Sequence, residues 1–392
     1  MVSEKTAARA IINPKGVARL QGGHPWIFRS DVLEVKGAEH GDVVFVQSPR
    51  GAPLGTAFYS ATSQITLRLL GSDAGEMGPK FFHKRIAEAM ARRGDWAVGR
   101  DAYRVVFAES DRLPSIIIDR YGPHFVIQTL SAAADRWKGI IAQTLQEDFG
   151  AASVTERNDA PARQHEELPL ISQILLGTPA FPITIREGSQ QFEVDPLEGQ
   201  KTGLYLDQAQ NRMTLAPFLR GRVLDAFCYQ GGFACHAAVH ADDVLAVDGS
   251  AAMLEGARRN ADRNSLKNIN FQEANIFDLL HELYDRGERF NGIILDPPAF
   301  VRARSTLAAG IRGYKEINLR AVKLLKAGGI LITSSCSQNL QEEMLLDLLT
   351  QVSVDTGRGM AVIQKCGQPP DHPVLLTFPE SYYLKTLVMR LD

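Results

Sequence analysis

Val223-Leu-Asp225-Ala-Phe-Cys-Tyr-Gln-Gly231-Gly232-Phe233 is an apolar run that breaks on two glycines and restarts with helical residues. A strand, a glycine turn and a helix are the reading that fits. The same rhythm continues downstream. Asp243-Val-Leu-Ala-Val247, Ile269-Asn-Phe271, Gly292-Ile-Ile-Leu295 and Ile330-Leu-Ile-Thr333 read as further strands. Helical periodicity falls near 233–240, 251–264, 275–287, 316–326 and 339–351. Alternation of this kind predicts an α/β fold, a doubly wound Rossmann-like parallel sheet with its ligand crevice at the strand C-termini.

Upstream the texture differs. Residues 1–72 hold short β segments such as Asp42-Val-Val-Phe-Val-Gln47, broken by Gly22-Gly23 and Ser48-Pro49, and suggest a small β-barrel. Residues 73–187 mix helices and strands, with the polar stretch 156–169 expected as an exposed loop, and 188–392 form the sheet just described. Three units suit a chain of 392 residues. No run of 18 apolar residues suggests a membrane span, and no secretory leader is evident, so a cytoplasmic protein is expected. Its four cysteines form no Cys-x-x-Cys pair, which disfavours a disulfide framework or a cysteine zinc site; no metal is expected. A net charge of −2 excludes coating nucleic acid by bulk charge but leaves room for a local basic patch, and residues 1–72 carry +3.

The glycine turn lets the backbone approach a ligand closely, while the absence of Gly-x-Gly-x-x-Gly weakens a dinucleotide reading. Asp225 within the strand suits a cofactor's amino or hydroxyl groups better than a pyrophosphate. Asp248, followed by Gly249, closes the second strand, where an acid accepts from ribose hydroxyls. Asn275, after the third strand, is placed for an adenine edge. An acid after a strand is often only a helix cap, but three such residues in order favour S-adenosyl-L-methionine over a nicotinamide. The stretch from Gly199 to Arg212 is glycine-containing and polar, and suits the cofactor's methionine end, an RNA phosphate or a plain linker.

Two later motifs carry reactive groups. Asp296-Pro297-Pro298-Ala-Phe300 follows the fourth strand, and Ser334-Ser335-Cys336-Ser337 follows the fifth. A carboxylate and a thiol at neighbouring strand ends suit covalent attack on a pyrimidine: the thiolate adds to C6 and makes C5 nucleophilic. The prolines would hold an extended loop beside a flat base. Phe300 is equally suited to stacking on that base or packing on the sheet. Arg302, Arg304, Arg312, Tyr314 and Lys315 are expected on a mobile loop, either contacting RNA or forming a solvated face. Cys228 and Cys235 read as packing residues, and Cys366 is given no role.

On these residues the chain resembles the RlmI-type large-subunit ribosomal RNA methyltransferases, over nearly its whole length. Gly23-His24-Pro25-Trp26-Ile-Phe28 resembles their N-terminal PUA module, which implies an RNA-binding role for His24 and Trp26. Lys201-Thr-Gly203-x-Tyr205-Leu-Asp207-Gln208, Asp225-x-Phe227-Cys-Tyr-x-Gly231-Gly232, Asp296-Pro-Pro-x-Phe300 and Ser335-Cys336-Ser337 match family motifs. The resemblance implies that Asp225, Phe227, Asp248, the glycine turn and the Lys201, Tyr205, Asp207 stretch hold S-adenosyl-L-methionine. By the same resemblance, Asp296 orients a cytosine and Cys336 attacks its C6, giving 5-methylcytosine in ribosomal RNA. Asn275 stands where relatives often carry Asp. The Asp-Pro-Pro motif lacks the cysteine of two-cysteine cytosine enzymes, so another, unidentified base must remove the C5 proton.

Other readings stay open. Asp-Pro-Pro also suits guanine-N7 or uracil-C5 methylation, although a guanine enzyme has no need of Cys336 and the Asn-Pro usual after a uracil enzyme's thiol is absent. A non-catalytic RNA-binding factor retaining the fold is the alternative from another class. The sequence does not fix the oligomeric state, a homodimer being one compatible state.

Overall fold

In the computed structural model, β1 (Arg222–Ala226), β2 (Asp243–Asp248), β3 (Ile269–Glu273), β4 (Phe290–Leu295), β5 (Leu325–Ser335), β6 (Met360–Cys366) and β7 (Lys385–Leu391) form one sheet in the order 3-2-1-4-5-7-6. The structure describes residues 8–71, 76–199, 201–301 and 303–392. Strands β1 to β5 are parallel, and β7 inserts antiparallel between β5 and β6. The sheet is therefore not purely parallel. The five parallel strands were legible as buried apolar runs. The two C-terminal strands were not, because β6 is half-exposed and mixes polar with apolar residues.

Helices α1 (Ala209–Leu215), α2 (Gly232–Ala238), α3 (Ala251–Arg263), α4 (Ile276–Asp285), α5 (Leu307–Leu324) and α6 (Glu342–Thr356) belong to the same unit. Strand order reverses at β1, so β1 and β4 diverge there to leave the crevice such sheets use for ligands. Beneath it lie two apolar clusters. One gathers Leu280, Ile293, Ile317, Leu331 and Leu348, the other Val223, Ala234, Val244 and Ile332. The long α5 corrects the expected mobile loop. Arg312, Tyr314 and Lys315 are helical, and Gly310 packs where a Cβ would meet Val301 at 2.3 Å. Arg302 lies outside the described residues.

By contact the chain divides into two compact units. The first comprises residues up to Ile185 with Val194–Leu206 and Pro370–Ser381; the second comprises Arg186–Glu193, Asp207–Pro369 and Tyr382–Asp392. The first holds a six-stranded sheet, built from strands between Arg9 and Gly71, and a five-stranded sheet from strands between Ala102 and Leu176. The stretch 156–169 is only in part the exposed loop expected: residues 159–169 are mostly exposed but hold two sealed charges. Ser153–Asn158 is a wholly buried strand, and Arg163 and Glu166 are sealed in the short helix that follows. Burial is tolerated because each charge is met: Lys138 lies 2.9 Å from Glu156, Arg163 3.0 Å from Asp135, and Arg68 2.9 Å from Glu166.

Candidate active site

The turn after β1 is strained in a way that serves a ligand. Phe227, Tyr229 and Gly231 all have positive φ (65°, 52° and 80°), a conformation non-glycine residues adopt only when neighbours enforce it. Hydrogen bonds to the second strand enforce it here. Cys228 N–H donates to the Val247 carbonyl at 2.9 Å, and Tyr229 N–H to the Asp248 carboxylate at 2.9 Å. The other Asp248 oxygen accepts from Ser250 N–H at 3.0 Å, so this half-buried acid braces the loops after β1 and β2. Gly249 is exposed beside it. At Gly232 a Cβ would sit 2.8 Å from the Arg212 side chain, which explains the missing side chain there. Asn275 caps α4, its side chain accepting from Phe277 N–H at 2.9 Å, with the residue itself exposed.

Asp225 is 1% exposed, and among the described residues neither carboxylate oxygen has a hydrogen-bond partner of good geometry, although the Ala234 amide is near the group. Burial, reinforced by the Asp296 carboxylate and then by Asp248, raises its proton affinity well above the usual carboxylate range. Orphaned buried acceptors of this kind call for a donor from a ligand. Asp296, just past β4, accepts from the Gln208 amide at 2.8 Å. Gln208 is fixed in turn by Asn211 at 2.7 Å, and Asp207 accepts from Tyr383 O–H at 2.8 Å. Arg212 grips Glu187 through two bonds of 2.7 and 2.6 Å, and His236 adds a third at 3.0 Å. Although burial opposes ionisation, Arg212 and His236 outweigh it and hold Glu187 down at about 2.

Leu295 of β4 pairs with Thr333 of β5, so Asp296 and Cys336 follow neighbouring parallel strands at the same sheet edge. Their loops are tied together. Val301 N–H donates to Ser337 Oγ at 3.2 Å, and Tyr314 O–H lies 3.0 Å from both Ser337 Oγ and Ser335 Oγ. The serines around the thiol are buried, and hydroxyl bonds to Tyr314 and Thr386 satisfy them. Cys336 itself is half-exposed between them. Cys228 and Cys235 are buried in the core, where burial pushes Cys235 up to about 12, whereas Cys366 is half-buried like Cys336. Pro297 is buried and Pro298 exposed. Phe300 packs beside Tyr314, Phe277 and Phe227, with ring centroids 4.8, 5.9 and 6.3 Å away.

Some expected contacts are not on offer. Tyr314 is completely buried, so it presents no face to a base and serves the serine network instead. Lys315 is paired with Asp355 at 2.8 Å, which ties α5 to α6; Arg312 remains exposed on α5. In the first unit, Trp26 Nε1–H donates to Glu109 at 2.8 Å and its ring packs on Phe378, while His24 lies 3.3 Å from Glu380. Lys201 places its ammonium over the Tyr205 ring at 4.3 Å, also in the first unit.

Residues 10–72 match a family model described as a PUA-like domain, and residues 220–365 one described as a methyltransferase domain. Ribosomal RNA large subunit methyltransferase I of Shewanella amazonensis is 40% identical over 98% of this chain and 99% of its own; that of Shewanella denitrificans is 38% identical over 98% and 100%. The chain belongs to the ribosomal RNA large subunit methyltransferase I family. Among solved structures, SMU.776 complexed with SAH superposes with a TM-score of 0.85 at 20% identity, covering 97% of this chain and 99% of that one, a likeness of fold. The cofactor is S-adenosyl-L-methionine. The buried, orphaned Asp225 oxygens and the glycine turn fit it.

Three residues escaped assignment from sequence. Gln208 and Arg212 stood in a quoted motif, but without the fold nothing told their side chains from linker polarity. Lys385 ends the Tyr-Tyr-Leu-Lys385 stretch, an ordinary surface pattern until β7 buries it.

Proposed function

We propose that this chain forms 5-methylcytosine in large-subunit ribosomal RNA through a covalent bond between Cys336 and C6 of the base. The half-exposed Cys336, flanked by anchored serines at the strand end next to Asp296, carries the reading. The family's named substrate supplies the RNA class. Residues 1–72 would hold RNA through a PUA-like module, 73–187 connect it, and 188–392 carry the chemistry in the cytoplasm.

Asp225, Asp248, the turn from Phe227 to Gly232 and Asn275 would hold the cofactor, which supplies an electrophilic methyl group. Asp296, steadied by Gln208, accepts from the exocyclic amine of the cytosine and orients the ring. Cys336 loses its proton, its sulfur bonds to C6, and the displaced π electrons make C5 nucleophilic. After C5 is methylated, a base takes the C5 proton, the ring double bond re-forms and the C6–S bond breaks to regenerate the thiolate. Phe300, packed beside Phe227 of the glycine turn, would border this crevice.

Nucleoside mass spectrometry of ribosomal RNA from cells lacking the gene, complemented by wild type or Cys336→Ala, tests the reading. A 5-methylcytosine should vanish and return only with wild type. Loss of a methylguanosine or methyluridine would reject the base assignment, and full rescue by Cys336→Ala would reject the covalent route.

A further inference from the structure

The sulfur of Cys336 shares its strand end with a buried cation that the reaction above does not use. Ser335, the residue before the thiol, pairs directly with Lys385 across β5 and β7. Lys385 is 2% exposed, and its ammonium donates to the Ser337 carbonyl at 2.7 Å and to the Tyr383 carbonyl at 2.8 Å. One of those acceptors belongs to the residue just after Cys336. The cation is thus fixed by backbone on both sides and is not free to swing into solvent. The ammonium lies 6.0 Å from the Tyr382 ring, and the Cys336 thiol and Glu342 at the start of α6 are close enough to act on its charge, as the thiol is on the Tyr314 hydroxyl.

We propose that Lys385 is a positioning residue whose fixed ammonium holds Cys336 as its thiolate, ready to add to a pyrimidine carbon. A preorganised charge beside a developing anion needs no reorganisation when the anion forms, and a partly desolvated site strengthens the attraction. Burial brings Lys385 down to about 8, while Cys336 and then Glu342 pull the other way, so the side chain is still largely charged at neutral pH. Glu342 is itself engaged by Lys365 at 2.7 Å and by Tyr382 O–H at 3.0 Å. The thiol proton passes to solvent, and the ammonium keeps its own.

This inference rests on Cys336 being the nucleophile, so its test reads the thiol and not the methylated product. Iodoacetamide labelling of Cys336, located by peptide mass spectrometry, is followed from pH 5.5 to 9.5 in wild type, Lys385→Gln and Lys385→Arg. Labelling at pH 7 should fall roughly tenfold in Lys385→Gln, as for one unit of thiol titration. Lys385→Arg should retain most of it, and adenosyl-homocysteine affinity should be unchanged in both. An identical labelling profile in a Lys385→Gln protein that still binds adenosyl-homocysteine overturns the proposal. Should that variant not fold, the wild-type profile is compared with a free peptide of residues 332–340. A midpoint at or above the peptide's overturns the proposal too. Lysine-dependent labelling in an enzyme that makes no 5-methylcytosine would instead reject the cytosine reading alone.

Discussion

Asp225 lies opposite Ile294 on adjacent parallel strands, two residues before Asp296, and the Asp296 carboxylate adds to the cost that burial sets on ionising Asp225. A folded-state proton affinity above the unfolded one penalises the fold at neutral pH, and acidification relieves the penalty. Asp225→Asn should therefore stabilise the ligand-free protein at pH 7 by about 1–3 kcal/mol, with the gain shrinking as pH falls. The same change should weaken adenosyl-homocysteine binding. Paired melting curves and calorimetry check this, and a variant that is both less stable and fully competent to bind would contradict it.

Gln208 donates to Asp296 and faces no cofactor-turn residue in a hydrogen bond. Gln208→Ala should lower turnover by about 10–100-fold, the kinetic equivalent of roughly 1.5–3 kcal/mol for a bond to a charged group. Adenosyl-homocysteine affinity should stay within about threefold. Loss of cofactor binding with unchanged turnover at saturation would assign Gln208 elsewhere.

Glu187 titrates in the opposite sense to Asp225. Its folded-state value lies near 2, below the ordinary carboxylate, so its contribution is present above about pH 4.3 and is lost as pH falls toward 2. Glu187→Gln strands a buried Arg212 charge and should cost about 3–5 kcal/mol at pH 7. Denaturant titrations from pH 7 to 3 should show the gap to wild type closing below pH 5. A constant gap would mean that the ion pair is not its source.

Tyr314→Phe keeps the packing against Phe300 and removes only the hydroxyl shared by Ser335 and Ser337. Stability should fall by about 1 kcal/mol, and the reactivity of Cys336 should drop as its flanking serines loosen. Unaltered labelling of Cys336 would mean that the serine network does not hold the thiol.

Much of this was legible before any coordinates. The parallel strands show as apolar runs because both faces of such a sheet are buried, and the reactive motifs show because each follows one of those runs. The buried charges within 156–169 misled for a physical reason. Charged residues read as surface, and only folding reveals that Glu156, Arg163 and Glu166 are paired partner by partner. Tyr314 misled in the same way, since an aromatic among basic residues resembles an RNA contact until α5 turns it inward.

Sequence alone determined the five parallel strands and the helices between them, the glycine turn, and which acid and thiol follow the fourth and fifth of those strands. These follow from short-range periodicity and backbone chemistry. The tertiary structure decided which polar side chains are sealed and by whom, because burial depends on elements far apart in the chain. Lys385 is the plainest case: β7 must insert between β5 and β6 before a lysine near the C-terminus can stand beside Cys336.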